Sequence, residues 1–137
     1  MAKVLLDTNV VLDYLSPTRP EHQAAVGLLE ALFETGTDVV VPAGSLKDAY
    51  CILCRKYHDE RIVRERLRGF SKIVRLGELT GEVAGLALSS DEPDFEDGIV
   101  RATAELAGVE AIVTRDAGAF ASSFVPAMTP ARYCESL

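Results

Sequence analysis

The chain has 137 residues, of which 48% are hydrophobic and 26% charged, a balance that predicts a packed core rather than disorder. No apolar run reaches the roughly 18 residues of a membrane span, and an odd count of three cysteines fits a reducing cytoplasm better than a disulfide scaffold. The net charge of −7 by itself argues against nucleic acid as a partner. We expect one cytoplasmic domain over residues 1–137.

The first part of the chain alternates apolar runs with amphipathic stretches. Residues 3–6 predict a buried strand that ends at the polar triplet Asp7-Thr8-Asn9, and a short helix follows from Val10 to Leu15. A longer helix is predicted over residues 21–33, and a strand over residues 39–41 that Pro42 closes.

The middle of the chain continues this alternation. An apolar stripe predicts a helix over residues 43–57, and Asp59 can cap a basic helix that runs to Phe70. A third strand is expected over residues 73–76.

The last part begins with a helix that Thr80 caps and that runs to about Leu88, before a polar break over residues 89–93. A helix over residues 95–106, a strand over residues 111–113, a short strand near Met128 and a final turn after Thr129-Pro130 complete the prediction. Strands that alternate with helices predict an α/β fold whose parallel sheet is covered on both faces.

The charge is unevenly distributed along the chain. Residues 55–75 hold eight cations and three acids, a net charge of +5, which leaves −12 for the remainder. Within this segment Arg55, Lys56, Arg64 and Arg68 are our candidates for contact with RNA or an acidic partner. The alternative is a solvated helix whose cations pair with neighbouring acids such as Glu65.

Four aspartates are candidates for a metal-dependent site. Asp7 and Asp116 follow predicted strands, at the sheet edge where parallel sheets bind ligands. Asp97 and Asp48 lie in the first turns of two helices. Carboxylates without His or Cys suit Mg²⁺ or Mn²⁺, which supports hydrolysis of phosphodiesters without a nucleophilic side chain.

Each acid also has a purely structural interpretation. Asp7 can close a turn, and Asp94 and Asp97 stand in the N-cap and N3 positions of their helix, where capping is the better explanation for Asp94. Asp48 lies on the opposite side of its helix from the apolar stripe, so that it is either exposed or faces a cavity.

Four short motifs, in order and with family-like separation, resemble the PIN domain family, and most closely its VapC-type toxins. These motifs are residues 6–10 (LDTNV), residues 45–50 (SLKDAY), residues 93–97 (PDFED), and residues 114–116 (TRD) followed by Phe120. The resemblance implies a three-layer α/β/α domain with a mainly parallel sheet. It also implies an endoribonuclease of a toxin–antitoxin pair that uses Mg²⁺ or Mn²⁺ and forms homodimers.

The same resemblance assigns roles to individual residues. Asp7, Asp97 and Asp116 would hold the metal most directly, and Asp48 would complete the catalytic cluster. Asn9 and Thr114 would orient that cluster, and Asp94 would support it. An antitoxin would cover or enter the groove.

Three positions depart from the family pattern. Asp48 replaces the more common Glu, which shortens the reach of the carboxylate by roughly 1.5 Å, one carbon–carbon bond. Gly98 replaces a common Ala, and Ala119 stands where relatives often have another acid. These departures leave open a second hypothesis, a PIN-like module that binds protein or RNA and has weakened catalysis.

Two other interpretations are less favoured. Cys51 and Cys54, with His58 nearby, have the spacing of half a zinc site, but no second pair of ligands is present in the sequence. A phosphatase like the haloacid dehalogenases, with Asp7 as nucleophile, requires a second acid at position 9, which is Asn.

Overall fold

A five-stranded sheet forms the centre of the molecule in a computed structural model that describes residues 2–91 and 94–137. The strand order is β3-β2-β1-β4-β5, and every neighbouring pair is parallel. The expected parallel sheet is therefore confirmed. The strands are β1 (Lys3–Leu6), β2 (Asp38–Pro42), β3 (Arg75–Gly77), β4 (Ala111–Val113) and β5 (Ala127–Met128).

Helices connect β1 to β2, β2 to β3 and β3 to β4, because parallel strands need a crossover, and a 3-10 turn lies between β4 and β5. The helices are α1 (Thr8–Leu15), α2 (His22–Glu34), α3 (Ala43–Tyr57), α4 (Glu60–Ser71), α5 (Gly81–Leu88), α6 (Phe95–Ala107) and α7 (Pro130–Glu135), with the 3-10 turn at Ala117–Phe120. The predicted caps are confirmed for α4, α5 and α6: the side chains of Asp59, Thr80 and Asp94 accept hydrogen bonds from first-turn amides.

The sheet separates two hydrophobic cores. On one face of the sheet, Val4 and Leu6 of β1 pack into a core to which residues of α1 to α4 and Tyr133 of α7 also contribute. Leu5 points to the opposite face and packs with Val100 of α6. Helix α5 packs on α6. The predicted three-layer α/β/α architecture is confirmed.

Two predicted boundaries were wrong. Helix α1 begins at Thr8 rather than Val10, because Asp7 caps it and its carbonyl already accepts from the Val10 and Val11 amides. Strand β3 begins at Arg75 rather than at residue 73, because the Ile73 amide is used by the end of α4, where it donates to the carbonyl of Phe70.

Gly98 of α6 lies against the C-terminal end of α5. A Cβ at this position would come within 2.9 Å of the Ala87 carbonyl oxygen and 3.0 Å of Ser90 Oγ. The absence of a side chain at this departure from the family pattern is therefore what the packing of the two helices requires.

The predicted polar break at residues 89–93 includes Glu92 and Pro93, which lie outside the described residues. Within residues 2–91 and 94–137, none of the helices combines the length and the hydropathy that a bilayer crossing requires.

Candidate active site

Asp7 lies between β1 and α1 and is the most enclosed of the four predicted acids. Its side chain caps α1, with Oδ1 accepting from the Thr8 amide at 2.7 Å. Its backbone amide donates to the Val113 carbonyl at 3.0 Å and thereby joins the ends of β1 and β4. The residue is only 8% exposed, so its carboxylate is held in place by both backbone and side-chain bonds.

Thr114 and Asn9 complete the environment of this carboxylate. The Thr114 hydroxyl donates to Asp7 Oδ2 at 2.8 Å, and the Asn9 amide group donates to the same oxygen at 3.4 Å. The Thr114 oxygen in turn accepts from the Asp116 amide at 3.1 Å, and Asn9 Oδ1 accepts from the Arg115 amide at 3.1 Å. The segment after β4 is therefore tied to the segment after β1.

A cavity of about 290 Å³ opens beside Asp7, and three of the predicted acids line it. Asp48 reaches it from α3 and Asp97 from α6, so Asp48, whose surroundings the sequence left open, lines the cavity and also remains partly exposed. The remaining lining residues are Thr8, Asn9, Leu12, Gly44, Ser45, Glu96, Ile99 and Val100.

Asp116 and Asp94 are not among the residues that line the cavity, but their charges act on Asp7. Burial raises the pKa of Asp7 above its ordinary value of 3.8, and the Thr114 and Thr8 hydrogen bonds oppose that rise. The nearby carboxylates of Asp116 and Asp94 raise the pKa of Asp7 further. A positive charge in the cavity would relieve this cost of ionisation.

The donor chemistry of the cavity fits a hard divalent cation, since its acids offer carboxylate oxygens with no His or Cys among the lining residues. These carboxylates are not grouped closely enough to hold a metal ion without moving. Within the part of the chain that the structure describes, no three acidic, His or Cys side chains form a group that could hold a metal ion.

The four predicted cationic contacts lie outside the cavity. Arg64 donates to Glu60 Oε2 at 2.8 Å, and Arg68 pairs with Glu65, as the alternative of a solvated helix expects. Arg55 is exposed on α3, and Lys56 donates to the Thr18 hydroxyl.

Sequence reasoning missed several residues near the site. Ser45 is buried at the start of α3 and its hydroxyl accepts from the Thr8 hydroxyl at 2.8 Å, which joins α3 to α1. Glu96 lines the cavity beside Asp97. The buried carboxylate of Asp13 pairs with Arg19 at 2.8 Å and Arg115 at 2.7 Å. An acid among the apolar residues of α1 was the signal that could have identified Asp13.

The two cysteines and the histidine with the spacing of half a zinc site lie on α3 and at its end. Cys51 and Cys54 are half-buried free thiols on α3, and Cys54 packs against the core. His58 ends that helix in the left-handed conformation, with φ of 53°.

Solved structures share this fold over most of their length. FitAcB from Neisseria gonorrhoeae superposes with a TM-score of 0.73 at 24% identity, covering 93% of this chain and 97% of that one. VapC20 of Mycobacterium tuberculosis, a toxin that cleaves the sarcin–ricin loop, gives 0.70 at 18% identity over 89% and 96%. A toxin–antitoxin complex from Klebsiella pneumoniae gives 0.68 at 23% identity over 93% and 97%.

The sequence itself gives the family. No curated protein sequence matches this chain. The family model of the PIN domain, however, matches residues 3–118, which is most of the chain and contains the whole acidic cavity. The protein therefore belongs to the PIN domain family.

Proposed function

We propose that this protein is a metal-dependent endoribonuclease and the toxin of a toxin–antitoxin pair. Asp7, Asp97 and Asp116 are the proposed metal ligands, and Asp48 completes the catalytic set. The observation that carries the proposal is the enclosed Asp7 carboxylate, which faces a cavity with Asp48 and Asp97 and whose ionisation is opposed by burial and by neighbouring acids.

The chain's own residues prepare this site for a phosphodiester. Thr114 and Asn9 fix the orientation of the Asp7 carboxylate, and Asp94 fixes the first turn of α6 by accepting from the Asp97 amide at 2.8 Å. A bound Mg²⁺ or Mn²⁺ supplies Lewis acidity toward the phosphoryl group and lowers the pKa of water. The carboxylates then need no nucleophilic side chain beside them.

The decisive experiment is cleavage of a structured RNA with Mg²⁺ or Mn²⁺, comparing the parent with Asp7→Asn. We expect the variant to lose at least about a hundredfold in rate, as loss of a principal electrostatic group does. Asp38→Asn is the matched control, because Asp38 begins β2 at the amino ends of the strands, away from the cavity, and its one ion pair among the described residues is with Arg75 on the surface. Full activity in Asp7→Asn excludes the proposed mechanism.

A module without strong catalysis is the second candidate. The absence of a ready metal-holding group in the described residues favours it, as do Asp48 in place of Glu and Ala119 in place of an acid. Calorimetric titration with Mn²⁺ separates the two functions. Binding that Asp7→Asn abolishes supports the nuclease, whereas no binding at millimolar Mn²⁺ supports the module.

The toxin assignment and the homodimer are part of the same proposal. The toxin and toxin–antitoxin complexes among the structural neighbours support an antitoxin partner. We expect induced expression in a bacterial host to arrest growth, and co-expression of a small adjacent reading frame to restore it. Sedimentation equilibrium of the purified protein tests the dimer.

A further inference from the structure

Two cations, Lys56 of α3 and Arg66 of α4, lie beside the C-terminal end of α1. The Lys56 ammonium donates to the Thr18 hydroxyl and lies 3.5 Å from Ser16 Oγ. The Arg66 guanidinium donates to the Leu15 carbonyl at 3.4 Å. Both cations lie over the Tyr57 ring, at 5.7 Å for Lys56 and 5.3 Å for Arg66. We call Lys56 and Arg66, with the groups that hold them, the cationic pair.

The cationic pair differs from the other cations of α4. Arg64 and Arg68 each have a glutamate partner, whereas neither Lys56 nor Arg66 has a carboxylate within ion-pair distance among the described residues. The Tyr57 hydroxyl bonds Ser16 at 2.8 Å, and its surroundings lower the pKa of Tyr57, first through Ser16 and also through Lys56 and Arg66. The local environment thus favours negative charge.

Two helix faces connect this pair with the catalytic cavity. Thr8 and Leu12 of α1 line the cavity, and Ser16, four residues after Leu12 at the end of α1, lies on the same face of that helix. On α3, Asp48 lines the cavity and Lys56 lies eight residues further along, a rise of about 12 Å. Ile52 lies between them and is 38% exposed, an apolar surface on the same face.

From this placement we propose that Lys56 and Arg66 form a distal binding site for a backbone phosphate of the RNA strand that enters the catalytic cavity. A strand advances at least about 3.4 Å per nucleotide, so a rise of about 12 Å along α3 corresponds to roughly four nucleotides. The proposal rests on the ribonuclease function and adds the path of its substrate. Continuity with the cavity favours RNA over an acidic protein segment.

The test measures RNA binding without cleavage. Fluorescein-labelled single-stranded oligouridylates of two and eight nucleotides are titrated with the full chain in EDTA, by anisotropy, at several salt concentrations. Each phosphate contact in a single strand contributes a slope of about −0.7 to log K against log salt. For the eight-nucleotide RNA, Lys56→Gln/Arg66→Gln removes one phosphate contact and should therefore weaken the slope by about 0.7. Between 50 and 200 mM salt, the parent should lose about 2.6-fold more affinity than this variant.

Two controls separate the site from general charge. Lys72→Gln/Arg132→Gln removes the same charge elsewhere and should leave the slope unchanged. Lys56→Arg/Arg66→Lys keeps both charges and should retain the parent's slope. The two-nucleotide RNA is too short to reach both sites, so the parent should bind it more weakly than the eight-nucleotide RNA.

Several results overturn the proposal. They are equal slope changes in both charge-removing variants, equal affinity of the parent for the two RNAs, or no RNA binding by the parent. Binding of a decaglutamate peptide that depends on the cationic pair, without a change in the RNA slope, assigns the surface to an acidic protein instead. Because no cleavage is measured, failure here is distinct from failure of the ribonuclease, which the Asp7→Asn assay decides.

Discussion

The two sides of the acidic cavity are held in different ways. On the strand side, the Asp7 carboxylate accepts from the Thr8 amide and the Thr114 hydroxyl, and it is nearly inaccessible to solvent. On the helix side, the Asp48 side chain is 39% exposed, and its one ion pair in the described residues is with the adjacent Lys47 at 3.7 Å.

This difference indicates that the two sides of the cavity have different roles. The strand side is preorganised, because the ends of two buried strands and a capped helix fix it before any ligand arrives. The helix side is adjustable, since exposed carboxylates can change rotamer at little cost. Changes on the strand side should therefore cost stability and activity together, and changes at Asp48 should affect activity alone.

The largest effect on stability is expected from Thr114→Val, which keeps the shape of a fully buried side chain and removes its hydroxyl. Asp7 loses a donor, and the Asp116 amide loses its acceptor. We expect the free energy of unfolding to fall by about 2 kcal/mol and cleavage to fall with it. Urea denaturation measures the first and the RNA assay the second.

Thr103→Val is the control for that change. Thr103 is also buried, but among the described residues its hydroxyl has one hydrogen bond, which it donates to the Ile99 carbonyl within α6. It should cost less than about 1 kcal/mol. If the two variants are equally stable, the Thr114 network does not hold the strand side together.

The next effect concerns the helix that carries Asp97. Gly98→Ala brings a methyl group against the Ala87 carbonyl, a cost of about 2 kcal/mol that exceeds the gain of about 1 kcal/mol in helix propensity. We expect a net loss of about 1 kcal/mol in thermal or urea unfolding. Gly85→Ala, in α5 with nothing within 4 Å of the added methyl, should instead stabilise the protein. The opposite signs test the close approach.

Asp48→Glu tests the adjustable side directly. The longer carboxylate reaches about 1.5 Å further into the cavity, so we expect tighter Mn²⁺ binding in calorimetry and a cleavage rate raised by less than about tenfold. The free energy of unfolding should stay within about 0.5 kcal/mol of the parent because the position is partly exposed. A loss of stability comparable to that of Thr114→Val would remove the distinction between the two sides.

The smallest effect is a pH dependence that belongs to Asp7. Its pKa is raised in the folded protein, so the stability it contributes is fully present below its ordinary value of 3.8 and is lost as pH rises through the folded pKa. Measured without metal, the parent should therefore lose stability relative to Asp7→Asn as pH increases from about 3 to 7. A relative gain over that range contradicts the assigned direction of the shift.

Much of the site could be predicted from chain position. Asp7 and Asp116 follow strands, and the carboxyl ends of parallel strands share one edge of a sheet. The capping role of Asp94 was predictable because an aspartate directly before a helix, three residues ahead of Asp97, is a local sequence signal for an N-cap. The start of α1 was misplaced because the polar triplet that ends β1 also begins the helix.

Other features depend on contacts between distant segments. Asp13 pairs with Arg115 from 102 positions away in the sequence, and Gly98 is required by the approach of α5. Position on a helix could not decide whether Asp48 faced solvent or the cavity. The distinct character of Arg66 among the cations of α4 depends on Tyr57 and Leu15, which lie on other elements.

The alternation of strands and helices, the parallel sheet and the strand-end acids can be predicted from the chain alone, since they follow from periodicity, capping and connection rules that act over short distances. How firmly each acid is held, and which cations have no carboxylate partner in the described residues, depends on how the elements pack. Those properties arise from burial and from hydrogen bonds between segments, and local sequence patterns carry no record of either.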